Sequence, residues 1–459
     1  MIQIQGDTIS AIATAFGEAG IGIIRMSGKQ AIDIADRIFK SVNGKKLTEV
    51  KDRSIILGRI MDSKGAVIDE VVVLIMRSPK SYTKEDIVEI QCHGGLMVTQ
   101  KVLSRTLEEG ARLAERGEFT KRAFLNGRLD LSQAQAVLDI IQAKTNEALK
   151  TAEDKLSGKM TGEIYKLKQQ ILKIIAHIEA IIDFPEDDIE NLTLNEITNE
   201  VTTAIDEVNE LLDFETKSKI LTAGIEVAII GKPNVGKSSL LNLLSKSEKA
   251  IVTDIPGTTR DVIEEYINIQ GVPIKILDTA GIHKSTDKIE EIGIKKTKEK
   301  IMQANLVLAL FDGSREFDNE DETIINLIKN HNVIVLLTKC DLPTKIDSNK
   351  IEIHFPTEKA ISISVKTKDG VDILRQNITD KIKNMSGDLA FIRNARELEA
   401  LRHVRKNLEE AKDTIALNIG VDFISIDLRS ALQELNTLTG ESVDEDIINE
   451  IFSKFCIGK

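Results

Sequence analysis

Gly231-Lys232-Pro233-Asn234-Val235-Gly236-Lys237-Ser238 decides how the rest of the chain is read. It fits the pattern G-x-x-x-x-G-K-[ST], in which backbone amides wrap a phosphate chain. Ile225 to Ile230, just before it, is apolar and β-branched, which predicts a buried strand. Ser239 to Leu244, just after it, consists mostly of good helix formers. Strand, glycine loop and helix together aim amides and a helix N-terminus at phosphates. A chance glycine turn would lack that frame. In this setting Val235, Gly236, Lys237, Ser238 and Ser239 line a nucleoside triphosphate. Lys237 reaches the β- and γ-phosphates as a catalytic cation, and the Ser238 hydroxyl ligates Mg2+.

The motifs downstream select the base. Asp278-Thr279-Ala280-Gly281 follows the predicted strand Ile274 to Leu277. An aspartate there acts on Mg2+ through water, and the glycine amide senses the γ-phosphate. Between the two motifs lies Asp254-Ile255-Pro256-Gly257-Thr258-Thr259-Arg260-Asp261, whose threonine hydroxyls suit a switch closing on Mg2+. A further strand, Val333 to Leu337, leads into Thr338-Lys339-Cys340-Asp341. The Asp341 carboxylate accepts two hydrogens that the guanine edge offers and adenine does not. Ser364 and Lys366, in Ser362-Ile363-Ser364-Val365-Lys366, place backbone amides at the guanine oxygen. Four motifs in this order, each at a strand end, read as a GTPase.

Two residues bear on how the reaction is catalysed. Ile282 stands where Ras-like GTPases place a water-orienting glutamine, so a carboxyl or amide must come from elsewhere. Glu290 and Glu291 follow, and composition alone does not choose between them or exclude that both are solvated. Asn234 offers a carbonyl oxygen to a monovalent cation that would stand in for an arginine finger. It is equally a turn residue beside Pro233.

Around this block the chain is mixed. Residues 1–121 predict strands with flanking helices, including the hairpin signal Asp62-Ser63-Lys64-Gly65 between Ser54 to Met61 and Val67 to Met76. A glycine turn is expected over Gly17 to Gly22, and a strand Ile87 to Gln91 ending in Cys92-His93-Gly94-Gly95. Periodicity alone assigns Arg25, Glu85 and His93 to surface ion pairs. Amphipathic helices flank the nucleotide block on both sides, for example Ile164-Leu167-Ile171-Ile174 and Leu398-Leu401-Val404-Leu408. Asp130 with Gln133, and Ser442 with Glu445, read as capping boxes. Helix breaking is expected at Phe184-Pro185. This pattern suggests an α/β block inserted into a helical bundle. A net charge of -12 argues against a basic nucleic-acid surface as the main feature. The three cysteines show no disulfide or zinc spacing, which fits a reducing cytoplasm. Neither a signal peptide nor a membrane span is legible.

From end to end the chain resembles the MnmE (TrmE) tRNA-modification GTPases. The resemblance rests on Asp7-Thr8-Ile9, Gly20-Ile21-Gly22-Ile23-Ile24-Arg25, Glu85-Asp86 and His93-Gly94-Gly95. Further on it rests on Gly117-Glu118-Phe119-Thr120, Ala123-Phe124-Leu125-Asn126-Gly127, Ile182-Asp183-Phe184-Pro185 and Phe455-Cys456-Ile457-Gly458-Lys459. It implies a multidomain α/β and α protein. A mixed α+β tetrahydrofolate-binding and dimerisation domain (1–121) is followed by a discontinuous helical domain (122–218 and 383–459). An inserted Ras-like G domain (219–382) completes it. It also implies a homodimer working with the FAD protein MnmG (GidA) on tRNA. Together they would place a carboxymethylaminomethyl-type group on carbon 5 of the wobble uridine, using methylene- or 5-formyl-tetrahydrofolate. By the same resemblance Arg25, Glu85, Arg128 and Lys459 hold folate. Asn234, Thr253, Ile255 and Thr258 hold K+, while Ser238 and Thr259 hold Mg2+. Glu290 orients the attacking water, and Cys456 matches the family's terminal cysteine, with a structural role expected ahead of a chemical one.

The chain departs from the family at several positions. Arg128 stands where many members have lysine, which keeps a cation but changes its donor geometry. Thr14 to Gly20 replaces a proline-rich basic turn, and Glu115-Arg116-Gly117 lacks a proline. Thr338 stands in place of asparagine, and its shorter side chain is expected to weaken GTP binding. A rival reading is an RNA-binding assembly GTPase of the Era or Der kind, which needs a KH-like domain after the G domain. A second is a septin-like assembly switch that modifies nothing.

Overall fold

The computed structural model describes residues 6–183, 190–247, 266–277, 298–356, 358–385, 396–417 and 420–459. The N-terminal sheet contains β1 (Ile9–Ile12), β2 (Ala19–Ser27), β3 (Phe39–Ser41), β4 (Ile55–Met61), β5 (Val67–Met76), β6 (Ile87–Gly94) and β7 (Arg112–Leu113). Their spatial order is β3-β4-β5-β6-β2-β1-β7, and only the β1–β7 pair is parallel. Strand alternation puts Val71, Val73, Ile75, Val88 and Ile90 on one face. They share a core there with residues of α1 (Ala31–Ile38) and α2 (Leu96–Glu108). The opposite face carries Arg25, Glu89, Leu74 and Ile55 in one cross-strand row.

The predicted hairpin is present. The Asp62 carboxylate accepts from the amides of Lys64 and Ala66, and Gly65 takes φ +81°. The predicted glycine turn is shorter than read, because β2 already starts at Ala19. Gly22 is needed for close approach, since a Cβ there would stand 2.3 Å from Thr99 Cγ2 on α2. Likewise β6 continues to Gly94, where a Cβ would stand 2.3 Å from the Ala19 carbonyl oxygen.

The chain then forms α3 (Glu118–Leu125), α4 (Leu131–Gln142), α5 (Asn146–Leu156), α6 (Lys159–Asp183) and α7 (Glu190–Ala223). The Asp130–Gln133 capping box starts α4, with reciprocal bonds of 2.8 and 3.0 Å. Ser442 and Glu445 form no such box. The helix Glu445–Ser453 begins at Glu445 itself, too early for that residue to reach back as the third helical position. The Phe184-Pro185 break lies outside the described residues. Helices α6 and α7 pack with Arg396–Ala416 and Val421–Thr439 into one core, including Leu167, Val201, Leu401 and Leu435. Chain on both sides of the nucleotide block thus builds a single helical body.

At this body's exits lies a buried chain of charges that the sequence did not suggest. Lys155 pairs with Glu215 at 2.7 Å, and Lys219 stands 3.6 Å from Glu215 and 3.1 Å from Glu397. Glu215 and Lys219 close α7, while Glu397 opens the returning helix. Burial would raise the Glu397 pKa, but Lys219, Arg396 and Lys155 outweigh it and hold the carboxyl at about 2.

Six strands form the second sheet: β8 (Ile225–Gly231), β9 (Tyr266–Ile269), β10 (Val272–Leu277), β11 (Leu306–Asp312), β12 (Val333–Thr338) and β13 (Ile361–Ile363). Their order is β13-β12-β11-β8-β10-β9, and all are parallel except the edge strand β9. Apolar clusters cover both faces, so β11 and β12 read as unbroken hydrophobic runs. After β8 comes α8 (Lys237–Ser247). Strand β8 lies between β10 and β11, which is the switch point where parallel sheets bind ligands beyond their carboxyl ends.

Candidate nucleotide site and N-terminal ligand site

The loop between β8 and α8 turns through two left-handed residues, Asn234 at φ +62° and Gly236 at φ +103°. Gly231 is fixed by contact, since a Cβ there would stand 2.5 Å from the Leu310 carbonyl oxygen. The Lys237 ammonium donates to the carbonyls of Gly231 (2.6 Å) and Lys232 (2.8 Å), so it spans the loop. Burial pushes its pKa below the ordinary lysine value. Asn234, Ser238 and Ser239 lie beside it, none of them buried. Lys232, unremarked in the sequence, is buried and paired with Asp318 and with Asp321 at 2.7 Å. That pairing ties the loop to the N-terminus of the helix Asn319–Ile328.

The base-side motifs meet this loop. Thr338 is buried at the end of β12, and its hydroxyl lies 2.8 Å from the Val235 carbonyl and 3.2 Å from that of Phe311. One hydroxyl proton serves the shorter contact. The shorter side chain still reaches the phosphate loop and joins the two motifs. Lys339, at φ +62°, places its ammonium 2.6 Å from Asp312. Burial raises the Asp312 pKa, but Lys339 and Ser314 more than offset this and lower it. Asp312 was missed, although an aspartate closing a wholly apolar strand is the same signal that selected Asp278. The adjacency of β12 and β13 lets the Ser364 hydroxyl donate to Asp341 at 2.7 Å. Lys366 is exposed just beyond. Thr253, Ile255, Thr258, Thr259, Asp278, Thr279, Ala280, Gly281, Ile282, Glu290 and Glu291 lie outside the described residues.

A second constellation occupies the open face of the N-terminal sheet. Arg25 donates to Glu89 at 2.7 Å, and its guanidinium sits 5.7 Å from the Phe119 ring and 6.0 Å from the Tyr82 ring. Arg128 stacks on Tyr82 at 4.7 Å. The segment Phe455 to Lys459 threads in beside them. The Gly117 amide donates to Cys456 O (3.3 Å), the Phe119 amide to Lys459 O (3.2 Å), and Arg25 to Gly458 O (3.3 Å). Burial, then the Arg25 charge, pushes the Lys459 pKa down. Glu85, just before β6, takes bonds from Ser27 (2.7 Å) and from the buried Arg122 (3.2 Å). Arg122 also bridges Asp7 and Glu118. Arg25 and Glu85 have the ion partners that periodicity implied, and the His93 Nδ1 lies 2.8 Å from the Asp69 carboxylate.

A family model described as the MnmE helical domain matches residues 131–456. Another, described as the GTP-binding protein TrmE N-terminus, matches residues 8–128. The chain belongs to the MnmE family. It is 46% identical to the tRNA modification GTPase MnmE of Thermoanaerobacter pseudethanolicus (strain ATCC 33223 / 39E), over 99% of each chain. It is 43% identical to that of Bacillus pumilus (strain SAFR-032), over 99% of this chain and all of the other. Among solved structures, a point variant of Aquifex aeolicus Era bound to GDP.AlF4- is 32% identical over 34% of this chain and 56% of that one. Its TM-score of 0.28 is too low to support a structural comparison.

In this MnmE-family chain the two constellations share one chemical trait. Among the described residues the loop presents Lys237 without a carboxylate bond, and the N-terminal face sets Arg25, Arg128 and Lys459 against Glu89. Each donor set suits an anion: phosphates on the loop, and beside Tyr82 and Phe119 a flat ring carrying carboxylates. No helix among the described residues is long and apolar enough to cross a membrane.

Proposed function

We propose that this chain hydrolyses GTP and couples the cycle to modification of carbon 5 of the tRNA wobble uridine. The carrying observation is the joined loop, with Lys237 poised on it, Thr338 tied to Val235 and Ser364 tied to Asp341. Lys237 turns its ammonium from the loop carbonyls onto the β- and γ-phosphates. Ser238, with Thr259, holds Mg2+, and Asn234, with Thr253, Ile255 and Thr258, holds K+. These ions supply positive charge where negative charge develops in phosphoryl transfer. Glu290 orients water in place of the glutamine that Ile282 excludes, and Asp341 reads guanine with Ser364 fixing its carboxylate.

Arg25, Arg128 and Lys459, with Glu85 just before β6, bind tetrahydrofolate, which supplies the one-carbon unit. The side group is of the carboxymethylaminomethyl type, and MnmG, an FAD protein, is the partner. Residues 1–121 form the folate and dimerisation domain, 122–218 with 383–459 the helical domain, and 219–382 the G domain of a cytoplasmic homodimer. Ile55 and Leu57 on β4 are exposed by 72% and 51%, which leaves apolar sheet for a second copy to cover. An Era-like reading has less support, because β13 leads into the helix Val371–Met385 and then the shared helical core. Nucleoside mass spectrometry of tRNA from cells lacking the chain tests the proposal. Loss of the wobble-uridine side group is expected, and unchanged wobble uridines overturn it.

A further inference from the structure

Next to the folate constellation, and sharing Tyr82 and Arg128 with it, lies a cleft of about 580 Å3. Arg53, Lys80, Lys84 and Arg128 line it together with Leu74, Met76 and Tyr82, and no carboxylate is among its lining residues. In a chain of net charge -12 a cleft bearing only positive charge is unexpected. Its walls are also held in costly conformations. Arg53 and Lys84 take φ +57° and +59°, two of the six non-glycine residues with positive φ among the described residues. Three of the others, Asn234, Lys339 and Lys368, sit in or beside the nucleotide motifs. Left-handed backbone costs a side-chain-bearing residue about 1 kcal/mol or more and concentrates where ligands bind.

The cations have few competing partners. Lys84 is bonded to the Gly127 carbonyl, and Arg128 to the Tyr82 carbonyl. Arg53 stands 4.0 Å from Asp52, at the limit of an ion pair and largely exposed. The cleft has the size of a small-molecule pocket rather than of a nucleic-acid stripe. It continues from Arg128, whose guanidinium covers Tyr82 near Arg25.

We propose that this cleft holds the oligo-γ-glutamate tail of the folate, each added glutamate bringing one carboxylate to Arg53, Lys80 or Lys84. The proposal rests on the folate reading above. The ring would lie among Arg25, Glu85 and Lys459, Arg128 would meet the first carboxylate, and the tail would run past it. A triglutamate adds two carboxylates, and two exposed ion pairs, each giving about a twofold to fivefold gain, multiply to roughly fourfold to twenty-fivefold. That gain should shrink with salt, because the groups are exposed.

Calorimetric titration of the full chain with 5-formyl-tetrahydrofolate as mono- and triglutamate tests this, in low salt and at physiological ionic strength. The triglutamate is expected to bind roughly fourfold to twenty-fivefold tighter, and the Arg53→Ala/Lys80→Ala variant to lose that difference while keeping the monoglutamate affinity. Equal binding of both forms by the wild-type chain overturns the tail assignment and leaves the folate reading standing. Failure of both forms to bind removes the folate reading itself. If total tRNA binds the wild-type chain but not the variant, with glutamate number having no effect, the cleft is an RNA contact and the proposal falls. Lys84→Gln serves as a second variant, and an unchanged triglutamate advantage in both variants also refutes it.

Discussion

Replacing Thr338 by valine keeps the volume and β-branching of the side chain and removes only its hydroxyl. The lost bond, 2.8 Å to the Val235 carbonyl, is buried and links the end of β12 to the phosphate loop. A buried neutral hydrogen bond contributes about 1 kcal/mol, and an acceptor left unpaired raises the loss toward about 2 kcal/mol. If the bond holds the loop in its binding geometry, the loss appears in nucleotide affinity as a factor of about five to thirty. Fluorescence titration with a labelled GDP measures it, and thermal unfolding monitored alongside separates local from global effects. Thr338→Ser keeps the donor and should stay near wild type. Thr338→Asn restores the side chain usual in the family, so it separates loop linkage from chain length. Affinity of Thr338→Val within twofold of wild type would refute the view that this hydroxyl does the work of the family asparagine.

Other outcomes follow from the same geometry. Nucleotide binding favours the charged Lys237, whose pKa burial has lowered, so affinity should be full at neutral pH and fall as pH rises through that lowered value. A Lys237→Arg variant would lack this fall, and a wild-type profile that falls no earlier than the ordinary lysine range contradicts the assignment. GTP turnover should be at least about tenfold faster in K+ than in Na+, and Asn234→Ala should erase the difference; equal rates in the two salts sink the K+ site. Glu215→Gln leaves Lys155 and Lys219 buried with less compensation and should cost the helical core about 3–5 kcal/mol in denaturant unfolding. Because Glu397 is held at about 2, its stabilisation is complete above the ordinary glutamate range and is lost as pH falls toward 2; helicity constant down to that pH argues against it. In Gly458→Ala the new Cβ would stand 2.2 Å from the Ile12 carbonyl at φ +92°, so the segment carrying Lys459 should lift away. Folate affinity should then drop about tenfold with circular dichroism unchanged; retained affinity refutes that role for Lys459.

Both sheets and the helical body were legible because their signals are local and repeated. Runs such as Leu306 to Phe311 and the step of three or four from Ile164 to Ile174 carry burial in the pattern itself. The nucleotide motifs were legible for the same reason: fixed spacing encodes fixed geometry. Contacts across the chain were not. Nothing near Thr338 announces that its hydroxyl meets Val235, 103 residues away. The charge chain of Lys155, Glu215, Lys219 and Glu397 draws on three helices, and each member alone reads as a solvated surface charge. The proposed folate residues were named by resemblance, because partners such as Arg25 and Glu89 become neighbours only through strand pairing.

The proposed catalytic sites differ in chemistry but share a mark that separates them from the structural charges. Among the described residues, Lys237 and Lys459 are the two lysines whose pKa is pushed down. Lys166 and Lys219 are pushed up, with carboxylates among the causes. Lys232 and Lys237 show the contrast within one loop: the first is paired with Asp318 and Asp321, and the second, among the described residues, bonds to carbonyls. Burial at Lys237 meets no carboxylate among the described residues, and at Lys459 Glu89 only partly offsets burial and the Arg25 charge, so each ammonium gives up hydration that is not fully repaid. That deficit is removed when an anion arrives, so the cost carried by the free protein becomes binding energy for phosphate or folate carboxylate. The same reasoning extends to the cleft beside Tyr82, where Arg53 and Lys84 hold left-handed backbone next to charges of one sign. Left-handed backbone and weakly paired charge at the same residues follow directly if an anion completes the site.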